Sequence, residues 1–138
     1  MKSYEYIDHT ADIGIRAYGM SLGELLQHAG EGLSNLIIDK GTITESLEKH
    51  ITIDRCSLEE LLVTWLGELN YLFETKGLIF KRFIVDIKAN NSLYARCFGE
   101  KYNPARHAIK MLIKAVTYHQ LRVEKKGDVW ESCTFFDI

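Results

Sequence analysis

The chain has 138 residues, 46% of them hydrophobic and 26% charged, with a net charge of −2. These values bound one globular domain spanning 1–138 and exclude a protein that holds nucleic acid mainly through its overall field. No apolar run is long enough to span a bilayer, no secretory leader pattern is present, and Cys56, Cys97 and Cys133 form no Cys-x-x-Cys pair, so a cytoplasmic protein with reduced, structural thiols is expected.

Residues 3–9 and 12–19 are predicted as two strands joined by a polar turn. After the turn, Ile13, Ile15 and Ala17 alternate with Gly14, Arg16 and Tyr18. The turn itself, Asp8-His9-Thr10-Ala11-Asp12, is dense in carboxylate, imidazole and hydroxyl groups. Asp and Thr side chains stabilise tight reversals by bonding nearby backbone, which accounts for them in one way. Oxygen ligands held at a strand end on a rigid frame account for them in another.

Ser21-Leu22-Gly23-Glu24 is a capping-box pattern, and Leu22, Leu25, Leu26, Ala29, Leu33, Leu36 and Ile37 follow at helical spacing, so a helix is predicted from about 22 to about 37. Gly23, Gly30 and Gly32 weaken it, but glycine also lets a helix lie close on a sheet. Residues 45–54 alternate as a half-buried strand. Ser57-Leu58-Glu59-Glu60 opens a second helix with a wide apolar stripe, ending near 76 with Gly77 as its C′ residue. Trp65 and Phe73 on that stripe are expected in the core. Leu78–Ala89 and Ser92–Gly99 are predicted as an antiparallel pair about Asn90-Asn91, and 100–107 as irregular. Ile109–Glu124 gives the longest strand signal, predicted as central and bent or bulged. Lys125 to Asp128 form a turn, and Val129–Phe136 pairs back. The order β β α β α β β β β predicts an α+β fold: a mostly antiparallel sheet with two amphipathic helices on one face.

The ending Asp137-Ile138 closes a strong strand and brings a side-chain carboxylate and a terminal carboxylate. Beside the Asp8–Asp12 turn, these hard oxygens would suit Ca²⁺ or Mg²⁺, with Mn²⁺ as a further candidate, and not structural zinc. A solvated chain end is the plainer reading. His119 falls on an apolar strand face, where a histidine is expected as a satisfied core residue, and His9 either fixes the turn or serves the site. Lys114 either snorkels to solvent, pairs with Asp12 or Asp137, or meets a phosphate. Asp39 after the first helix is a turn former. Arg106, His107, Lys110 and Lys114 could form a small basic patch, though direct RNA contact is not indicated by net charge. No Gly-rich phosphate loop, Gly-x-Ser-x-Gly elbow or nucleotide fingerprint is present.

Four segments together resemble the archease family: Tyr6-Ile7-Asp8-His9-Thr10-Ala11-Asp12-Ile13-Gly14-Ile15, Leu61 through Glu74, Ile113-Lys114-Ala115-Val116-Thr117-Tyr118-His119, and Phe135-Phe136-Asp137-Ile138. The likeness runs nearly the whole chain in the family's order. It departs in helix one, which carries three glycines where the family tends to alanine-rich sequence. The resemblance implies a protein cofactor, not an enzyme. Such a protein assists RtcB-type RNA ligases, which join tRNA halves, by promoting guanylylation of the ligase histidine, supporting multiple turnover and broadening nucleotide use. It implies a divalent ion, calcium first, held by Asp12, Asp137 and Ile138, with Asp39 matching an acidic position after the first helix and Lys114 a lysine implicated in activation. A free-standing metal-dependent phosphoester hydrolase and a chaperone-like protein modulator are the competing readings of the same residues.

Overall fold

The structure is a computed structural model, and it describes residues 2–8, 12–54 and 57–138. The elements follow in the order β1 (Tyr4–Asp8), β2 (Asp12–Gly19), α1 (Leu22–Ile37), β3 (Leu47–Ile53), α2 (Leu58–Lys76), β4 (Leu78–Ile87), β5 (Leu93–Lys101), β6 (Ala115–Val116), β7 (Arg122–Lys126) and β8 (Val129–Asp137). The α+β class and the antiparallel pairing hold. The strands, however, divide into two sheets: β1-β2-β8-β6, with β7 also on β8, and β3-β5-β4. Among the described residues, no helix is long and apolar enough to cross a membrane.

The core lies where the sheets and helices meet. α1 packs on β2 of one sheet and on β4 of the other. Ile13, Ile15 and Ala17 meet Leu25, Leu26, Ala29 and Leu33 there. Glycine permits that closeness: a Cβ on Gly30 would lie 3.0 Å from the Phe83 ring, and one on Gly23 would lie 2.7 Å from the Val85 carbonyl oxygen. Trp65 is fully buried, sets its ring edge against Phe83 at 5.5 Å, and donates its indole N–H to the Leu26 carbonyl at 2.8 Å. Phe73 is partly buried and meets Tyr102 edge-on.

The helix ends follow their sequence signals. Ser57 and Glu60 complete a reciprocal capping box on α2, and Gly77 takes the left-handed conformation at φ 64°. On α1, Ser21 accepts from the Glu24 N–H at 3.1 Å, but the Glu24 carboxylate reaches back to the Met20 N–H at 3.0 Å, one residue beyond the box. Asn90 and Asn91 have φ of 63° and 59°, the paired positive values that a tight hairpin needs. β5 runs two residues beyond its expected end, because Glu100 and Lys101 still pair with Ile79 and Leu78.

The largest correction concerns Ile109–Glu124. It is neither one strand nor central. Ile109 makes an isolated bridge to Ile38, β6 holds only Ala115 and Val116, and β7 begins at Arg122; both strands lie along one edge of β8. Val116 pairs with Phe136 and Arg122 with Cys133, so residues 117–121 oppose only Thr134 and Phe135. The excess of three residues is odd, and it flips the faces on either side of the interruption. Thr117 secures the detour, donating both its N–H and its hydroxyl to the Phe135 carbonyl at 3.0 Å. Gln120 has φ 51° within the turn.

Candidate functional site

Asp12 opens β2 and Asp137 closes β8, and the two are register partners; Ala115, the first residue of β6, is the partner of Asp137 on its other side. Cross-strand partners share a face with their Cβ atoms roughly 5 Å apart. The sequence neighbours of the pair, Ile13 and Phe136, enter the core. Asp12 and Asp137 therefore stand together on the opposite face, at one end of the sheet. Lys114 joins the same rung through its backbone: its N–H donates to the Asp137 carbonyl at 2.8 Å, while its side chain is exposed. Ile138 follows Asp137 beyond the end of β8 and is exposed.

The next rung on this face is Gly14 opposite Phe135. The Phe135 ring covers the glycine so closely that a Cβ there would lie 2.7 Å from it. His119 sets its ring toward Phe135 at 6.0 Å between centroids. This corrects the expectation of a core histidine: His119 is exposed, because the detour at 117–121 carries it onto the outer face.

The remaining candidates separate. Asp8 is opposite Ile13, so its register places it on the helix-facing side, away from Asp12. His9 lies outside the described residues. Asp39 is a turn former as expected, accepting from the Gly41 N–H at 2.9 Å. Among the described residues, no group of three or more His, Cys, Asp or Glu side chains gathers to hold a metal ion, so Asp39 does not complete a side-chain triad with Asp12 and Asp137. The two carboxylates in register are hard oxygen donors, the class of ligand that calcium and magnesium take.

The suggested basic patch is dismantled. His107 is buried and Arg106 is engaged with Glu100. Glu100, itself 6% exposed, accepts from the Thr44 N–H at 2.6 Å, the Thr44 hydroxyl at 2.9 Å and His107 Nε2 at 3.1 Å, as well as from Arg106. Burial alone would raise the Glu100 carboxyl, but these donors prevail and hold it at about 2. The Asn103 N–H donates to His107 Nδ1 at 2.9 Å, which leaves the ring proton on Nε2, facing Glu100.

Sequence reasoning missed Asn70. It stands among the leucines of α2, is 7% exposed, and donates from Nδ2 to the Ile113 carbonyl at 3.0 Å. A lone amide on an apolar stripe was the available signal. Nothing in sequence linked Thr44 to Glu100.

Two antiparallel sheets packed about two helices, with two aspartates in register at one sheet end, define a small α+β protein. The chain belongs to the Archease protein family (MTH1598/TM1083), whose profile matches residues 4–138. It is 40% identical to the protein archease of Methanosarcina acetivorans over 141 residues, covering 99% of this chain and 97% of the other. It is 34% identical to that of Sulfurisphaera tokodaii over the whole of both chains. Among solved structures it is similar to Methanobacterium thermoautotrophicum protein 1598, with a TM-score of 0.86 and 26% identity over 100% of both chains. It is also similar to an archease from Thermotoga maritima described as a possible chaperone, with a TM-score of 0.62 and 27% identity over 96% of this chain and 94% of the other.

Proposed function

We propose that this protein is a cytoplasmic activator of an RtcB-type RNA ligase that joins tRNA halves, a protein cofactor and not an enzyme. It promotes guanylylation of the ligase histidine, sustains multiple turnover and broadens nucleotide use. One observation carries the reading: Asp12, Asp137 and the backbone of Lys114 occupy one rung at an exposed sheet end. Family membership supports it.

Guanylylation forms a bond between phosphorus and the ligase histidine nitrogen and releases pyrophosphate. That transfer needs oriented phosphates and neutralised charge. In the proposed complex the sheet end enters the ligase cleft. Asp12 and Asp137, with the main-chain oxygen of Ile138, would hold a divalent ion, calcium first and magnesium or manganese as alternatives. Such an ion supplies charge neutralisation at the triphosphate. Lys114, whose backbone N–H is bonded to the Asp137 carbonyl, would neutralise phosphate oxygen as a point charge with its exposed ammonium. The three-residue excess at 117–121 places exposed His119 and Tyr118 beside this end, where they would meet the ligase.

The test is ligase guanylylation with GTP and divalent metal, under multiple turnover, with this protein substoichiometric. Stimulation that disappears in Asp12→Ala supports the reading. No stimulation of a competent cognate ligase overturns it. Phosphoester turnover by the purified protein alone would favour a metal-dependent hydrolase. The description of the Thermotoga relative as a possible chaperone favours a second reading, a general protein modulator. Protection of unrelated unfolding clients without GTP or metal would support that one.

A further inference from the structure

We propose that Asn70 is a positioning residue: it holds the Ile113–Lys114 peptide against β8 and thereby sets the direction in which Lys114 leaves the rung shared with Asp12 and Asp137. The inference rests on the activator reading for the purpose of the positioning, and on hydrogen-bond geometry for its existence.

The Ile113 carbonyl and the Lys114 N–H belong to one planar peptide unit. Asn70 Nδ2 on α2 donates to that carbonyl at 3.0 Å, and the N–H donates to the Asp137 carbonyl at 2.8 Å. The plane is pinned at both ends, from the helix on one side and from the acid-bearing strand on the other. Rotation of the plane would change φ of Lys114 and redirect its side chain. Among the described residues, no other side-chain hydrogen bond reaches this peptide, in a segment that lacks a regular strand ladder until Ala115.

Asn70 is itself oriented. Its second Nδ2 hydrogen goes to Glu74 Oε1 at 2.9 Å, one helical turn along. Both partners are oxygens that only accept, so the amide cannot be turned the other way. Asn70 Oδ1 is then left buried without a partner. An orphaned buried acceptor costs stability. A leucine at this position would match its neighbours Leu66, Leu69 and Leu72 and remove that orphan, but it would leave the Ile113 carbonyl without its donor. The amide is therefore explained by what its N–H groups hold, not by packing of the core. Its presence despite the orphaned Oδ1 fits a residue kept to align a functional side chain.

The test compares wild-type protein with Asn70→Leu, by denaturant unfolding, by amide hydrogen exchange at Lys114 and by ligase guanylylation. The Lys110 amide, which donates to the Ile37 carbonyl at 2.7 Å and does not depend on Asn70, is the internal control. The expected result is a cooperative unfolding transition near the wild-type midpoint, because the Ile113 carbonyl orphaned by the change replaces the orphaned Asn70 Oδ1. With it, the Lys114 amide exchanges about tenfold faster while Lys110 is unchanged, and stimulation falls about tenfold. An unfolded variant would make Asn70 a folding determinant and overturn the proposal. So would unchanged exchange at Lys114, equal acceleration at Lys110 and Lys114, or accelerated exchange with full stimulation. If wild-type protein does not stimulate the ligase, the activator reading falls, and the exchange comparison still decides whether Asn70 fixes the Lys114 backbone.

Discussion

Asp12 and Asp137 face each other across β2 and β8, so two carboxylates share one rung of an antiparallel sheet. Like charges directly opposite cost roughly 0.2–1 kcal/mol. In chelator, Asp12→Asn removes that repulsion together with the contacts Asp12 itself makes, so the thermal midpoint is expected close to that of wild-type protein. On the proposed reading, calcium at a hundredfold excess over its dissociation constant stabilises wild-type protein by about 2.7 kcal/mol, and Asp12→Asn abolishes that gain. Thermal unfolding with EDTA and with Ca²⁺ checks both. A calcium shift of equal size in the two proteins would place the ion elsewhere.

The neighbouring rung gives a steric prediction. A Cβ on Gly14 would sit 2.7 Å from the Phe135 ring, and Phe135 is buried between Gly14 and the detour that carries His119. Gly14→Val must push the ring outward into His119 and Thr117. The expected loss is about 2 kcal/mol, seen as a lower urea midpoint with an unchanged slope. A wild-type midpoint would mean that the ring moves freely, contrary to its close cover.

Much of this frame was legible in the sequence because the signals were local. Ser57, Glu60 and Gly77 mark the ends of α2 by chemistry that operates within one turn. Asn90-Asn91 and Gly127-Asp128 mark hairpins because few residues accept positive φ. The interrupted edge strand was not legible for a definite reason. Alternation reports a constant face only while the register advances evenly, and the odd excess at 117–121 reverses it. Ala115 and Val123, on one face by counting, thus sit on opposite faces.

The site was legible in part. Asp12 and Asp137 stand out as acids at the ends of apolar strands, but the β2–β8 pairing that joins them links the two ends of the chain and has no local signal. Asp8 was assigned with them by proximity in sequence, but one strand position of difference turned it to the other face. The Glu100 cluster was invisible because its donors come from Thr44, 56 residues away, and from a loop without periodicity.

The cysteines yield a chemical prediction. Burial pushes the Cys97 thiol up to about 12, and raises that of Cys133, where burial outweighs the neighbouring Arg122 and Arg16. Both are free and buried. At pH 8, Cys97 in native protein should alkylate roughly a thousandfold more slowly than a free thiol, and Cys133 should also lag. Peptide-resolved mass spectrometry after iodoacetamide, with and without urea, checks this. Rapid native labelling of Cys97 would contradict its burial.

Glu100 predicts the acid limb of stability. Its carboxyl lies at about 2 in the folded protein against an ordinary value of 4.5, because Thr44, His107 and Arg106 donate to the charged form strongly enough to outweigh burial. The unfolded chain therefore takes up this proton first as pH falls. The contribution is complete above about pH 4.5 and is lost progressively as pH drops toward 2. Glu100→Gln keeps the shape but removes the charge that all three partners address. At pH 7 it should cost about 2 kcal/mol, the worth of hydrogen bonds to a charged group. Below pH 4.5 the gap between variant and wild type should narrow, because wild-type protein loses what the variant never had. Glu48, also held at about 2 by Arg96 and His50, is unchanged in both proteins, so the difference between the two curves isolates Glu100. Urea unfolding from pH 7 to pH 2.5 measures it. Parallel curves over that range would show that Glu100 is not ionised against its neighbours, and would remove the electrostatic basis for the Thr44–Glu100–His107 cluster.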